Sequence, residues 1–167
     1  MSHKRTEEIV VATTNRGKIV EIQKILSGSP YEFVPITQFD EHFSVEEDGM
    51  SYAENAIKKA RRASLTTGKI ALADDSGLEV DALGGAPGIY SARFGGEDLP
   101  FPEKIARLLR EMDGQVQRTA RFRCVIAVAP PKGAVVSCEG VCEGAISAEP
   151  RGTNGFGFDP IFWVPAY

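Results

Sequence analysis

The sequence predicts an α/β protein built on a mixed sheet, and three observations carry that prediction. Short β-branched runs alternate with helically spaced apolar residues through position 112, two longer strand-like stretches then follow with only a turn between them, and glycine or proline punctuates nearly every junction. Residues 8–12 (EIVVA) read as the first strand. From Gly17 the apolar positions Ile19, Ile22, Ile25 and Leu26 recur at helical spacing, and Gly28 and Pro30 end that helix. YEFVPI is a second strand and EEDGMS a loop. Ser51 and Glu54 have the S-x-x-E spacing of a capping box, so a helix follows, with Ala53, Ala56, Ile57, Ala60 and Ala63 as a narrow stripe and Gly68 as its stop. KIALA is a strand entering a turn at DDSG. The stretch GLEVDALGGAPGIYSARFGG is expected to be a strand and then a long glycine-rich loop. Pro102 opens a helix carrying Ile105, Leu108, Leu109 and Met112, with Gly114 just beyond it. Residues 119–129 and 134–143 are two strands joined by PPKG. No repeat or linker interrupts the chain, so residues 1–167 read as one domain.

With 43% hydrophobic and 25% charged residues, the chain can bury a core without covalent staples. The three cysteines, Cys124, Cys138 and Cys142, form no CxxC pair, which suits a reducing compartment better than a disulfide framework or zinc site. The even spacing of Cys138 and Cys142 puts them on one strand face, where they are expected to pack in the hairpin. The leading MSHKRTEEIVV lacks the apolar core of a signal peptide, and no run approaches membrane-spanning length. A cytoplasmic location is expected. The net charge of −4 argues against a nucleic-acid polymer as partner, since that grip needs many basic contacts to phosphate.

Several stretches carry residues suited to chemistry. TTNRGK lies at a strand-to-helix junction, where backbone amides, the positive end of the helix and Lys18 suit phosphate oxygens. It is not a Walker A loop, and the plainer reading is an Asn15 or Thr14 cap followed by a surface lysine. Asp74 and Asp75 are adjacent carboxylates after an apolar strand. They repel unless something offsets them, and Mg2+, which takes a few carboxylates together with water and phosphate oxygens, is one such group. The plainer alternative is an Asx turn. Glu46-Glu47-Asp48 is a second acidic cluster, or a solvated charge run. Glu54 and Lys58 are i, i+4 partners, whereas Lys59 shares a face with Asn55 and can aim its ammonium at an anion near the acidic loop. In GTNGFGFDPIFWVP, Phe156 and Phe158 can flank a flat heterocycle, or lie in the core.

TTNRGK, EEDG-x-S-x-x-ENA-x-x-KA, ADDSGLEVDALGGAPGIYSARFGG and NGFGFDPIF occur in this order, and across nearly the whole chain the sequence resembles the inosine triphosphate pyrophosphatase family. That resemblance implies an elongated mixed α/β fold with flanking helices and two lobes around a central cleft, a homodimer, and Mg2+-dependent hydrolysis of ITP, dITP and XTP to the monophosphate and pyrophosphate. It assigns Thr13, Thr14, Asn15, Arg16, Gly17 and Lys18 to the triphosphate loop, with Lys59 joining Lys18 at the phosphates. Asp75 becomes the proton acceptor, Glu46, Glu47 and Asp75 the metal ligands, Asp74 a supporting carboxylate and Ser76 a substrate contact. Phe156, Gly157, Phe158 and Asp159 fall in the nucleoside pocket.

The expected reaction is in-line attack of water on the α-phosphorus, with Asp75 taking the proton and pyrophosphate leaving. Two alternatives stand beside it: a nucleotide-binding relative that does not turn over, and a pyrophosphatase for other modified nucleotides. Family members continue past the equivalent of VPAY into a segment with a Ser-His-Arg motif, which His3 and His42 do not supply, so base selectivity is left unassigned. The apolar ending IFWVPAY is expected to be covered by further chain or by a partner.

Overall fold

Chain order runs β1 (Glu7–Val11), α1 (Arg16–Ile25), β2 (Tyr31–Pro35), α2 (Tyr52–Thr67), β3 (Ile70–Val80), α3 (Phe101–Glu111), β4 (Thr119–Ala129), β5 (Val136–Ile146) and β6 (Phe162–Trp163). In the computed structural model, which describes residues 7–165, the strands form one six-stranded sheet in the order β2-β1-β3-β4-β5-β6. His3, Ala166 and Tyr167 lie outside the described residues. β1 is parallel to both neighbours, Val10 standing opposite Val34 on β2 and Ala71 on β3, while β6 is antiparallel to β5, so the sheet is mixed as the sequence predicts.

This order positions the site. β2 and β3 lie on opposite sides of β1, so the winding reverses there, and the carboxyl end of β1, beside the middle of β3, forms the kind of switch point at which open α/β sheets bind ligands. β1 ends at Val11 opposite Leu72, while β3 continues to Val80. Residues from Ala73 onward therefore run past the end of their β1 partner.

Residue contacts divide the chain into two compact units. One comprises the residues up to Asp75 together with Val125–Cys138, the other Ser76–Cys124 together with Glu139 onward. Each unit draws on two separate stretches, and the boundaries fall inside β3, β4 and β5. That is why no linker announces the division in the sequence.

In the first unit, α1 starts where Asn15 caps it and fully buries none of its residues: Ile19 and Ile22 are half-buried and Ile25 is exposed, so the apolar spacing marks a helix with only a shallow core face. α2 is held at its start by Ser51, whose hydroxyl accepts the Glu54 N–H at 3.2 Å. The reciprocal arm falls one residue earlier than a capping box has it: the Glu54 carboxylate accepts the Met50 N–H at 2.8 Å. Gly68 ends α2 at φ +66°, where a residue with a Cβ is strained. Ala56, Ala60 and Ala63 are fully buried, and small side chains there let α2 approach β1 closely. Ile57 departs from the expected stripe. It is exposed, because the buried face is centred on Asn55, Ala56, Ala60 and Ser64 instead.

In the second unit, Ile105 and Leu108 of α3 and Met112 at its C-terminal cap pack with Leu78, Val80, Ile146, Phe158 and Ile161. Two expectations need correction. DDSG is not a turn, because β3 runs unbroken from Ile70 to Val80 through it. Cys138 and Cys142 do not pack in the hairpin: β5 is exposed on both faces from Val136 to Glu143.

Candidate active site

The catalytic-looking residues of the sequence converge within the first unit because β3 carries two adjacent aspartates through the switch point. Successive strand residues face opposite sides of a sheet, so Asp74 and Asp75 cannot share one environment. Asp74 meets Lys18 of α1 at 2.6 Å. Asp75 faces α2, where Lys59 Nζ stands 3.5 Å from its Oδ1 and Asn55 donates its side-chain N–H to Oδ2 at 3.1 Å. Adjacent aspartates ordinarily break a strand. Here each is about 5% exposed and matched by its own ammonium, which lets the strand continue.

Lys59 also reaches Glu47 on the acidic loop at 2.6 Å, so one ammonium joins the Glu47 and Asp75 carboxylates. The loop is tied down further by the Gly49 N–H, which donates to Asn55 Oδ1 at 2.9 Å, and by the ion pair of Asp48 with Lys58. Glu46 is exposed on the same loop. Burial pushes the Asp75 carboxyl above its ordinary value, and nearby Glu47 adds to this, while Lys59, the Asn55 amide and Lys18 pull it back. The result is a buried carboxylate with raised proton affinity beside two cations, an arrangement suited to accepting a proton from water.

In the TTNRGK loop the plainer reading is realised at Asn15. Its side-chain oxygen accepts the Gly17 and Lys18 N–H groups at 2.9 and 3.3 Å, so two of the amides expected to cradle phosphate are engaged by the cap. Thr13 Oγ1 in turn accepts the Asn15 N–H, and Thr14 and Arg16 are exposed. Lys18 projects from the first turn of α1 to Asp74, which is how a helix-borne cation arrives at the middle of β3. Ser76, the next residue of β3 and the first of the second unit, is half-buried.

The remaining nominees belong to the second unit. Phe158 is 2% exposed, with its ring edge-to-face against Phe94 and Phe101 at 6.2 and 5.5 Å, so the core reading replaces the expected stacking role for that ring. Phe156 and Gly157 are half-buried. The Asp159 carboxylate accepts the Phe156 N–H at 2.9 Å and closes the loop on itself. Gly155 makes that closure possible: a Cβ there would lie 2.2 Å from Asp159 Oδ2.

Sequence reasoning registered Asn55 only as a neighbour of Lys59 and passed over Gly49. The available signal was the ENA segment itself, where a buried asparagine one residue past a capping glutamate needs partners for both ends of its amide.

Fold and site together define a class: an α/β protein whose switch point carries paired carboxylates and ammonium groups, the equipment of polyphosphate chemistry. The chain belongs to the Ham1 family, whose profile matches residues 9–167. It is 53% identical over 162 residues to the dITP/XTP pyrophosphatase of Desulforamulus reducens, the match covering 96% of this chain and 81% of that protein. A dITP/XTP pyrophosphatase from Nostoc is 47% identical, with 96% and 79% covered. Among solved structures, a HAM1 protein from Coxiella burnetii superposes with a TM-score of 0.85 at 44% identity, covering 96% of this chain and 83% of that one. These matches bear out the resemblance and the mixed α/β fold read from the four motifs.

Proposed function

We propose that this chain is a nucleoside triphosphate pyrophosphatase that hydrolyses deaminated purine nucleotides, ITP, dITP and XTP, to the monophosphate and pyrophosphate. The hydrolase class and the substrates rest on membership of the Ham1 family and on relatives named dITP/XTP pyrophosphatases. The observation that carries the mechanism is the Lys59 ammonium held between Glu47 and Asp75, with Lys18 paired to Asp74 alongside.

The donor set suits Mg2+. Glu47 and Asp75 offer hard oxygen ligands, and Mg2+ characteristically takes one or two carboxylates and completes its shell with water and substrate phosphates. Among the described residues no three His, Cys, Asp or Glu side chains form a group able to hold a metal by themselves, so Glu47 and Asp75 would supply two ligands and water or substrate the rest. Glu46 would join from the exposed side of the loop. Bound there, Mg2+ would neutralise charge on the phosphate oxygens.

The protein's own groups do the remainder. Three carboxylates and two ammonium groups leave the cluster with surplus negative charge, so a polyanion approaches only as Lys18 and Lys59 exchange carboxylate partners for phosphate oxygens. Asp75, freed on one oxygen and held by Asn55 on the other, accepts a proton as water attacks the α-phosphorus. The bond from that phosphorus to the bridging oxygen breaks, and pyrophosphate leaves with the electron pair.

Two further parts of the reading have structural support. The exposed thiols of Cys138 and Cys142 suit a reducing cytoplasm. The exposed β5 strand, with Val136 and Val141 uncovered, suits a homodimer. Among the described residues no helix is long and apolar enough to cross a membrane.

The test is pyrophosphate release from ITP, XTP, GTP and ATP with and without Mg2+, in the unaltered chain and in Asp75→Asn. Release from ITP and XTP that chelation abolishes, together with a folded but inactive Asp75→Asn, is the expected result. Binding of ITP without release would replace the enzyme by the nucleotide-binding alternative, and near-normal turnover by Asp75→Asn would remove Asp75 as the base.

A further inference from the structure

Asn55 is 1% exposed, and a buried primary amide is costly unless both of its ends are bonded. Here the carbonyl end accepts the Gly49 N–H at 2.9 Å and the amino end donates to Asp75 Oδ2 at 3.1 Å. The two partners lie on different parts of the site: Gly49 on the acidic loop, Asp75 on β3. Lys59 makes a second link between the same two parts, touching Glu47 at 2.6 Å and Asp75 Oδ1 at 3.5 Å. Glu47 and Gly49 are two residues apart, so the bonds close a ring that runs from Glu47 through Lys59, Asp75 and Asn55 to Gly49. Gly49 is fitted to that ring, because a Cβ there would lie 2.5 Å from Asn55 Oδ1 and 2.9 Å from the Glu54 Cβ.

We propose that Asn55 is a positioning residue of this site: it sets the spacing of the Glu47 and Asp75 carboxylates by clamping the acidic loop to β3, and so sets the affinity for a divalent cation. Of the four side chains able to fill the place at similar size, only an amide serves both partners. A carboxylate cannot donate to Asp75, a leucine serves neither partner, and a threonine hydroxyl lacks the reach. By engaging Oδ2, Asn55 also fixes the rotation of the Asp75 carboxylate and leaves Oδ1 toward Lys59 and the open side. The inference rests on the metal-dependent reading above, and the experiment separates the two.

The experiment compares the unaltered chain with Asn55→Leu, which removes both arms, and Gly49→Ala, which pushes the loop away while leaving the Asn55 donation to Asp75 in place. Mn2+ binding without nucleotide is measured by water-proton relaxation, exchange of the Gly49 amide proton by NMR, and kcat and KM for ITP. Losing a group that orients a metal ligand typically weakens binding by about tenfold or more. The expected result is a Kd for Mn2+ raised by about that factor in both folded variants, with faster Gly49 exchange in Asn55→Leu and a loss concentrated in kcat at fixed Mn2+. If Asn55→Leu fails to fold, Gly49→Ala decides alone. Unchanged Mn2+ affinity in a folded variant overturns the clamp and leaves the enzymatic reading intact. Slow, Asn55-dependent Gly49 exchange in a chain that binds no Mn2+ overturns the metal reading instead, and reduces the clamp to a structural bond.

Discussion

Replacing Lys59 by methionine removes one ammonium from between two carboxylates while keeping most of the side chain's volume. At an effective dielectric constant of about 20, contacts of 2.6 and 3.5 Å correspond to roughly 6 and 5 kcal/mol of gross attraction. Desolvation and the freezing of a long side chain offset most of that. Removing one partner of a buried pair costs about 3–5 kcal/mol net, and because the Glu47 side chain is 26% exposed the lower end, about 3 kcal/mol, applies. In a chain of this length that corresponds to a fall of about 6–12 °C in melting temperature. The pH dependence identifies the cause. Asp75 already holds its proton above the ordinary value through burial, and losing Lys59 raises it further. The penalty of ionised Asp75 is present at neutral pH and lifted as pH falls through that raised value, so the deficit against the unaltered chain narrows on acidification. Urea denaturation at pH 7 and near pH 4, without divalent cations, makes the comparison. A deficit below about 1 kcal/mol at pH 7, or one that widens toward acid, would refute the reasoning.

The same sign predicts that Asp75→Asn, whose loss of activity is the outcome expected above, is at least as stable as the unaltered chain at pH 7, and that any advantage disappears as the medium is acidified and the native carboxyl takes up its proton; paired urea titrations test this. Gly155→Ala places a Cβ 2.2 Å from Asp159 Oδ2 at a φ of +80°, and should cost about 2–3 kcal/mol in equilibrium unfolding. Leu108→Ala empties a fully buried position in the second unit and should cost about 3–5 kcal/mol by the same assay, with an effect below 1 kcal/mol meaning that the helix is not packed as described.

Local rules made much of this protein legible before any coordinates. Asn15 and Ser51 at helix starts, Gly68 at a helix end and the apolar period of Ile105, Leu108 and Met112 each act within a turn or two of chain, so their patterns survive translation into structure. The TTNRGK, EED, DDSG and ENA-x-x-KA segments marked out candidate reactive groups for the same reason: a carboxylate or ammonium beside a strand is visible as residue type and spacing. Local rules also misled. Asp, Ser and Gly ordinarily break a strand, yet DDSG continues one because Lys18 and Lys59, from two different helices, neutralise its aspartates. Helical spacing extended the buried stripe to Ile57, and strand alternation hid Cys138 and Cys142, although both elements present those residues to solvent.

By itself, then, the sequence determined most of the elements, the family and the inventory of reactive groups, all of which depend on neighbours a few residues away. Only the tertiary structure decided which lysine meets which aspartate, that Phe158 is core while Phe156 is half-buried, and that Asn55 joins Gly49 to Asp75. Those pairings depend on strand order and on the faces two helices present to β3. Spacing along the chain carries no record of distances that close only when segments 16 to 56 residues apart are brought together by the sheet.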